Sequence, residues 1–503
     1  MPGYLMGVDV GSYESKGVLA DHNGMVVAQH VCKHKLEFVK DGHVEHDAEA
    51  VWWKEFCTIS KALIEKAGID PKWVAGVGVS TVFSMLPVDR NGDPTRRGGI
   101  MYGIDTRATA EISELNARFG RDEIFQSAGN TLSSQSMGPK ILWLKHNEPN
   151  AYNNAAYFLT GAAFIVGRLT GEFVMSHFDA AFYSPLYDLE NQSWSARLCD
   201  GIVEVNRLPR LQWSTEVAGS VNQKASEATG LAVGTPVAVG TSDAAAEAFS
   251  IGVTEPGHMM MMYGSVAWMT LIVDKPLKNP ALWSSPFLFE GTYCLHASIM
   301  TSGSLTRWIR DITAREILND AQESGDEAYS ALAMEAAAVH PGSDGLIVLP
   351  YFSGAATPLH DPLARGVIFG LNLTHTRGHL YRAAMEGIGY SIAHCLETMT
   401  DAGAVATDMV AVGGGVKSPA WLQSVSDITQ LPQRIPAVAF GASFGDACLA
   451  GIAIGLFTSR QEINKWVNVV KTVEPQSNSV VIYHRNYRIF KDLYIQTKNL
   501  MHA

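Results

Sequence analysis

The chain has 503 residues, too many for one ordinary core, so length alone predicts two large domains. A formal net charge of −12 argues against a nucleic-acid partner. Six cysteines (Cys32, Cys57, Cys199, Cys294, Cys395 and Cys448) are scattered with no Cys-x-x-Cys pair, so neither a zinc site nor a disulfide framework is implied. That usage suits a reducing cytoplasm, and the absence of a signal core or a membrane-length apolar run agrees with that setting.

Leu5 to Ser12 reads as a strand that ends at an acid, Asp9, and a glycine, Gly11. Glu14 to Gly17 is expected to form the turn and Val18 to Asp21 to open a second strand. Asn23-Gly24 then signals a hairpin returning through Met25 to Gln29. Backbone N–H groups of such a first turn can cradle phosphate, and Lys16 can add charge. A plain hairpin with a solvated lysine fits the same residues. Glu45 to Ala67 reads as a helix capped by Asp47, with Trp52, Trp53, Phe56 and Ile59 on its apolar face. Val74 to Ser80 is a buried strand, followed by Thr81 and Phe83; Asn91-Gly92 is another hairpin turn. Tyr102, Asp105 and Arg107 follow a short apolar strand and are expected to face a cleft. An aromatic ring with charged neighbours suits a sugar, whose hydroxyls need directed hydrogen bonds and whose C–H face needs an apolar wall. A helix cap at Asp105 with a surface arginine is the plainer alternative. Ala108 to Phe119, Pro139 to Leu144 and Ala155 to Leu169 read as helices.

Pro236 to Val239 is a short buried strand, and the alanine-rich run after Asp243 is a helix. In α/β folds ligands bind at the carboxyl ends of strands, so Asp243 is either a helix cap or a catalytic group. Turn residues from Ile251 to Gly257 are expected to divide the chain into domains 1–252 and 253–503. Met259 to Val273 then repeats the opening pattern of strand, Gly264-Ser265 turn and strand, the methionine run being a buried strand. Two such hairpins facing each other across a cleft could grip a polyphosphate from both sides. Ser302-Gly303-Ser304 is a tight turn opening a helix. Val410 to Val412 enters Gly413-Gly414-Gly415, where missing side chains let a flat or charged ligand approach the backbone. The triple glycine is not a G-x-G-x-x-G fingerprint, which disfavours nicotinamide binding. Gly441 to Gly455 reads as a tightly packed helix.

Together these stretches resemble the FGGY carbohydrate kinases of the actin-like sugar-kinase superfamily. The most specific match is Gly366-Val367-Ile368-Phe369-Gly370-Leu371, then seven residues, then His379 to Glu386, which fits the family's C-terminal signature. Pro139 to Leu144 is similar to the N-terminal signature, with Met137 where the family usually has Pro, Ser or Thr. The resemblance implies an α/β fold of two actin-like (ribonuclease H-like) domains with an interdomain catalytic cleft. It further implies ATP-dependent phosphorylation of a sugar or polyol hydroxyl, with Asp243 as general base and Asp9 orienting Mg²⁺ through water. Gly11, Ser12 and Lys16 would meet phosphate from the first domain, and Gly264 and Ser265 from the second. Gly303, Gly414, Gly415 and Ser418 would line the nucleotide. Tyr102 to Arg107 and Glu45-His46-Asp47 are most like xylulose kinase-type members, which puts Thr81, Phe83, Tyr102, Asp105 and Arg107 at the sugar. Thr81-Val82-Phe83 stands where many xylulose kinases carry Gln-Met-His, and Val82-Phe83 where glycerol kinases carry Arg-Glu. Gly354 to Pro358 also lacks a charged pair often found there. The expected ligands are a ketopentose such as xylulose, ATP and Mg²⁺, with no membrane partner and a homodimer left open. The alternatives are a kinase for ribulose or a pentitol, and a non-catalytic sugar- or nucleotide-binding regulator on the same scaffold.

Overall fold

Leu5, Met6, Val8 and Val10 are wholly buried on the strand Tyr4–Val10, the near-continuous apolar run of a strand covered on both faces. In the computed structural model, which describes residues 3–314, 326–437 and 440–503, this strand lies near the middle of a seven-stranded sheet. It pairs antiparallel with Glu14–Ala20 and parallel with Val74–Thr81. The register puts Lys16 and Ser80 on either side of Asp9. Pro236–Ala238 extends the sheet beyond Val74–Thr81, and the short strand Thr241–Ser242 lies beside Ser80 and Thr81. The chain thus delivers Asp243 to the same end of the sheet that carries Asp9.

Gly7 and Gly17 fall on opposite faces of this sheet, because Gly17 pairs with Val8 and successive side chains alternate. On the Gly17 face packs the helix Lys54–Ala67, with Phe56, Ile59 and Leu63 buried. On the Gly7 face packs Ala442–Ala453, a helix from the other half of the chain. A methyl group at Gly7 would lie 1.8 Å from the Ser443 carbonyl oxygen, and one at Gly78 would lie 2.0 Å from that of Asp446. Only glycine lets this helix come so close.

The second half repeats the scheme. His258–Tyr263 and Ala267–Val273 form an antiparallel hairpin, and Asp408–Val412 runs parallel to the first of them in another seven-stranded sheet. Met259, Met260 and Met261 are buried in that hairpin, as expected. The helices Arg377–Asp401 and Pro419–Thr429 pack together in this half. Among the described residues no helix is long and apolar enough to cross a membrane.

Three boundaries differ from expectation. The first hairpin turns at Gly11 to Tyr13, not at Glu14 to Gly17, because Gly11 N donates to Glu14 O at 3.0 Å and closes the turn early. Lys16 therefore stands on a strand opposite Asp9. His43–Asp47 is a strand, and the helix begins after it with a π-helical turn, Ala48–Trp53. Asp47 does cap it, its Oδ1 accepting from Glu49 N at 3.0 Å and Ala50 N at 2.9 Å. Tyr157–Leu159 is a strand, and the helix Gly161–Thr170 starts only where the Thr160 side chain accepts from Ala163 N.

Candidate active site

Asp243 is the first residue of the helix Asp243–Ser250, on the junction that follows Thr241–Ser242. Its Oδ1 accepts from Ala244 N at 2.7 Å and from Ser242 Oγ at 3.1 Å. Burial raises its carboxyl to about 6, although both hydrogen bonds favour the ionised form. One helical turn on, Glu247 is also raised, by burial and then by Asp243. Asp179 accepts the Ser242 backbone N–H, and burial pushes it up to about 7. It braces the strand end that carries Asp243.

Asp9 faces the same group. Ser80 Oγ lies 3.0 Å from Asp9 Oδ1 and 2.6 Å from Asp446 Oδ2. A hydroxyl has one proton to give, so it cannot donate to both carboxylates. A protonated Asp446 donating to Ser80, which in turn donates to Asp9, satisfies all three. Burial holds Asp446 well above the usual carboxylate range, with Asp9 and Asp243 adding to the effect. Asp9 is raised too, by burial first and then by Asp243. The countercharge here is Lys16, which pairs with Glu14 at 2.8 Å. Burial alone would lower the Lys16 ammonium, but Glu14, Asp9 and Glu247 together raise it.

This concentration of carboxylates suits a hard cation. Among the described residues no three His, Cys, Asp or Glu side chains converge as a metal cage. Mg²⁺ fits such a site, since it keeps its waters and takes one or two carboxylates together with substrate phosphates. Asp446 Oδ1 is buried without a hydrogen-bond partner, which further disfavours the ionised form of that side chain.

Tyr102 joins the acidic group. Its hydroxyl hydrogen-bonds the Ser12 side chain and lies in the field of Asp243. Its loop is held from below by Lys140, whose Nζ donates to Met101 O at 2.6 Å and Tyr102 O at 2.8 Å. Lys140 is 1% exposed, and burial lowers its ammonium to about 7. Phe83 is buried against Phe182, with ring centroids 4.5 Å apart, and Thr81 is buried beside Ser242 in the sheet.

Asp105 and Arg107 do not face a cleft, which corrects the expectation for both. Asp105 is wholly buried and accepts from Val44 N at 2.7 Å and Arg107 Nη2 at 2.7 Å. Arg107 also reaches Glu45 at 2.8 Å and lies over the Trp143 ring. Nε and Nη2 of this buried guanidinium are taken by the two acids, and only Nη1 has no hydrogen-bond partner. The pair pins the Tyr102 loop to the strand His43–Asp47 instead.

In the second half the corresponding turns open on a cavity of about 740 Å³. All six residues expected for the nucleotide there, Gly264, Ser265, Gly303, Gly414, Gly415 and Ser418, line it. The turns touch backbone to backbone: Gly303 N donates to Gly264 O at 2.8 Å, and a Cβ at Gly303 would lie 2.7 Å from that oxygen. Gly413 has φ +90°, and its Cβ would lie 2.7 Å from Tyr263 O. Gly414 has open space where a side chain would be. Another surface cleft, of about 710 Å³ at Arg90, Asn154 and Arg207, shares no residue with these groups.

Sequence reasoning missed Ser80, Lys140, Asp179, Glu247 and Asp446 near the acid, and Arg307, Tyr381 and Lys417 in the cavity. One signal was readable. Asp446 is a lone acid within an otherwise small and apolar helix, a position that demands a partner.

A hairpin with a parallel strand beside it, repeated in each half, with acids at one turn and glycines at the other, is the architecture of the actin-like phosphotransferases. The xylulose kinase from Rhodospirillum rubrum matches this structure with a TM-score of 0.93 at 27% identity, covering 99% of this chain and 100% of that one. The N-terminal domain of the FGGY family of carbohydrate kinases matches residues 4–250, and its C-terminal domain residues 259–454. The chain belongs to the FGGY family of carbohydrate kinases. A xylulose kinase of Bacillus subtilis is 26% identical over 503 residues, 99% of this chain and 98% of that protein. A glycerol kinase of Caldanaerobacter subterraneus is 28% identical over 489 residues, 94% and 95% of the two chains. Relatives with different acceptors thus stand at similar identity.

Proposed function

We propose that this carbohydrate kinase transfers the ATP γ-phosphate to a hydroxyl of a ketopentose of the xylulose type. The observation that carries the reading is the Asp243 carboxylate, held at a strand–helix junction beside Asp9 and Tyr102 and raised to about 6. Such a group is ionised at neutral pH yet basic enough to take the proton of an attacking hydroxyl. Tyr102 and the apolar Phe83 wall, with Thr81 behind it, shape the acceptor side. Val82 and Phe83 offer no charge or hydrogen bond to a compact polyol, which favours a sugar over glycerol.

The nucleoside would lie against Gly303, Gly414, Gly415 and Ser418. Gly264 and Ser265 would meet its phosphates from one side, and Gly11, Ser12 and Lys16 from the other. Asp9 would hold Mg²⁺ through water, and the ion would supply charge neutralisation on those phosphates. Closure of the two halves would exclude water and limit futile hydrolysis.

An ATP-consumption screen over xylulose, ribulose, ketohexoses, pentitols and glycerol tests this. Turnover driven best by a ketopentose is expected. Turnover with glycerol or a pentitol alone overturns the acceptor. Nucleotide and sugar binding without turnover would make the chain a binding regulator.

A further inference from the structure

Two histidines stand behind the first hairpin turn, outside the reacting groups. Their rings meet edge to face with centroids 4.8 Å apart. His34 Nε2 lies 3.0 Å from the Gly11 carbonyl oxygen, and His46 Nε2 lies 3.1 Å from that of Ser12. Carbonyl oxygens only accept, so each Nε2 carries a proton. The far side of each ring is fixed as well. Trp52 Nε1 donates to His46 Nδ1 at 3.2 Å, and Glu55 Oε2 takes His34 Nδ1 at 2.9 Å. Glu55 is itself steadied by Ser15 Oγ at 2.6 Å.

In a trans peptide the carbonyl and the following N–H point in opposite directions. Holding the Gly11 and Ser12 carbonyls from behind therefore turns the N–H groups of Ser12 and Tyr13 away from the histidines. Neither N–H has a backbone or side-chain acceptor among the described residues. Two successive N–H groups turned one way make an anion-binding concavity.

We propose that His34 and His46 are positioning residues that hold this turn as a preformed nest for a phosphate of the nucleotide. The proposal rests on reading the turn as phosphate-facing. Neither histidine touches the ligand; each fixes a peptide plane that does. The nest is then built before ATP arrives, and little ordering is left to be done on binding.

Calorimetric titration with adenosine, ADP and Mg²⁺-ATP, joined to steady-state kinetics, tests it. In His46→Leu and His34→Leu the affinity for ATP should fall about tenfold, the effect of one hydrogen bond. Adenosine affinity and the KM for the acceptor should stay as they are. His46→Gln should recover most of the loss, since its amide can donate to Ser12 O and accept from Trp52. Equal losses on adenosine and ATP, or no recovery with glutamine, overturn the proposal. If the unaltered protein binds ATP no tighter than adenosine, the phosphate reading of the turn fails first and takes the proposal with it. Should the leucine variants not fold, His46→Gln and His34→Gln against the unaltered chain carry the test. Amide exchange at Ser12 and Tyr13 must then slow with ATP but not adenosine in each, and no slowing overturns it.

Discussion

Replacing Asp243 by asparagine separates what the carboxylate does for chemistry from what it costs the fold. The group binds its proton more tightly in the native chain, at about 6, than in the unfolded one, at its ordinary 3.8. Between those values the native state holds more protons, so this group's contribution to stability falls as pH rises through the interval. Above pH ~6 the cost is fully present, and the difference between the two values sets an upper bound of roughly 3 kcal/mol. Solvent on the open side of the cleft brings it to ~1–2 kcal/mol. Asp243→Asn should therefore melt a few °C higher at pH 8, and the gain should shrink as pH is lowered from 6 towards 4. Turnover should fall by roughly 10²–10⁴ with nucleotide binding kept, the usual contribution of a positioned base. In the unaltered enzyme, turnover should decline tenfold per pH unit below about 6, since the ionised fraction drops from about 0.9 at pH 7 to about 0.1 at pH 5. Thermal melts and initial rates across pH 4.5–8.5 measure both effects. A variant that is less stable at pH 8, or that keeps full turnover, refutes the reasoning.

Lys140→Met should take a donor from the Met101 and Tyr102 carbonyls, the second of which keeps Asp105 N at 2.9 Å, cost ~1–3 kcal/mol by denaturant unfolding, and raise the KM for the sugar through a loosened Tyr102. Gly303→Ala should force the two glycine turns apart and lower both melting temperature and ATP affinity. Gly414→Ala, with open space around its Cβ, should leave melting unchanged while raising the KM for ATP severalfold. Asp446→Asn keeps a donor for Ser80 and should retain activity within about threefold, whereas Asp446→Leu loses that donor and should lower kcat at least tenfold; equal activities in the two variants would refute the protonated role.

Much of this architecture is legible in one dimension because it is local. A strand ending in Asp9, a glycine turn and a return strand announce the first hairpin, and Met259 to Val273 announces its repeat. Glycine turns must be glycine where backbones touch, which is why Gly303 and Gly413 were readable. What escaped was set by contacts distant in sequence. Asp105 and Arg107 look like ligand-binding residues until His43–Asp47 folds over them and supplies Glu45. Ser80 and Asp446 meet across 366 positions of chain, a pairing that no local pattern encodes. The family signature itself misleads as to place. Glu386 is buried and bonded to Gly342 N, Ser343, Arg382 and Tyr483, so it holds the second half together and stays away from the reacting groups.

The helix Ala442–Ala453 sets an order on biosynthesis. It seats on Gly7 and Gly78, in strands made hundreds of residues before it. At roughly 5–20 residues per second, the first sheet waits tens of seconds with one apolar face uncovered. An isolated first half, cut before the helix, would carry the same bare face permanently and should aggregate rather than serve as a free-standing sugar-binding module.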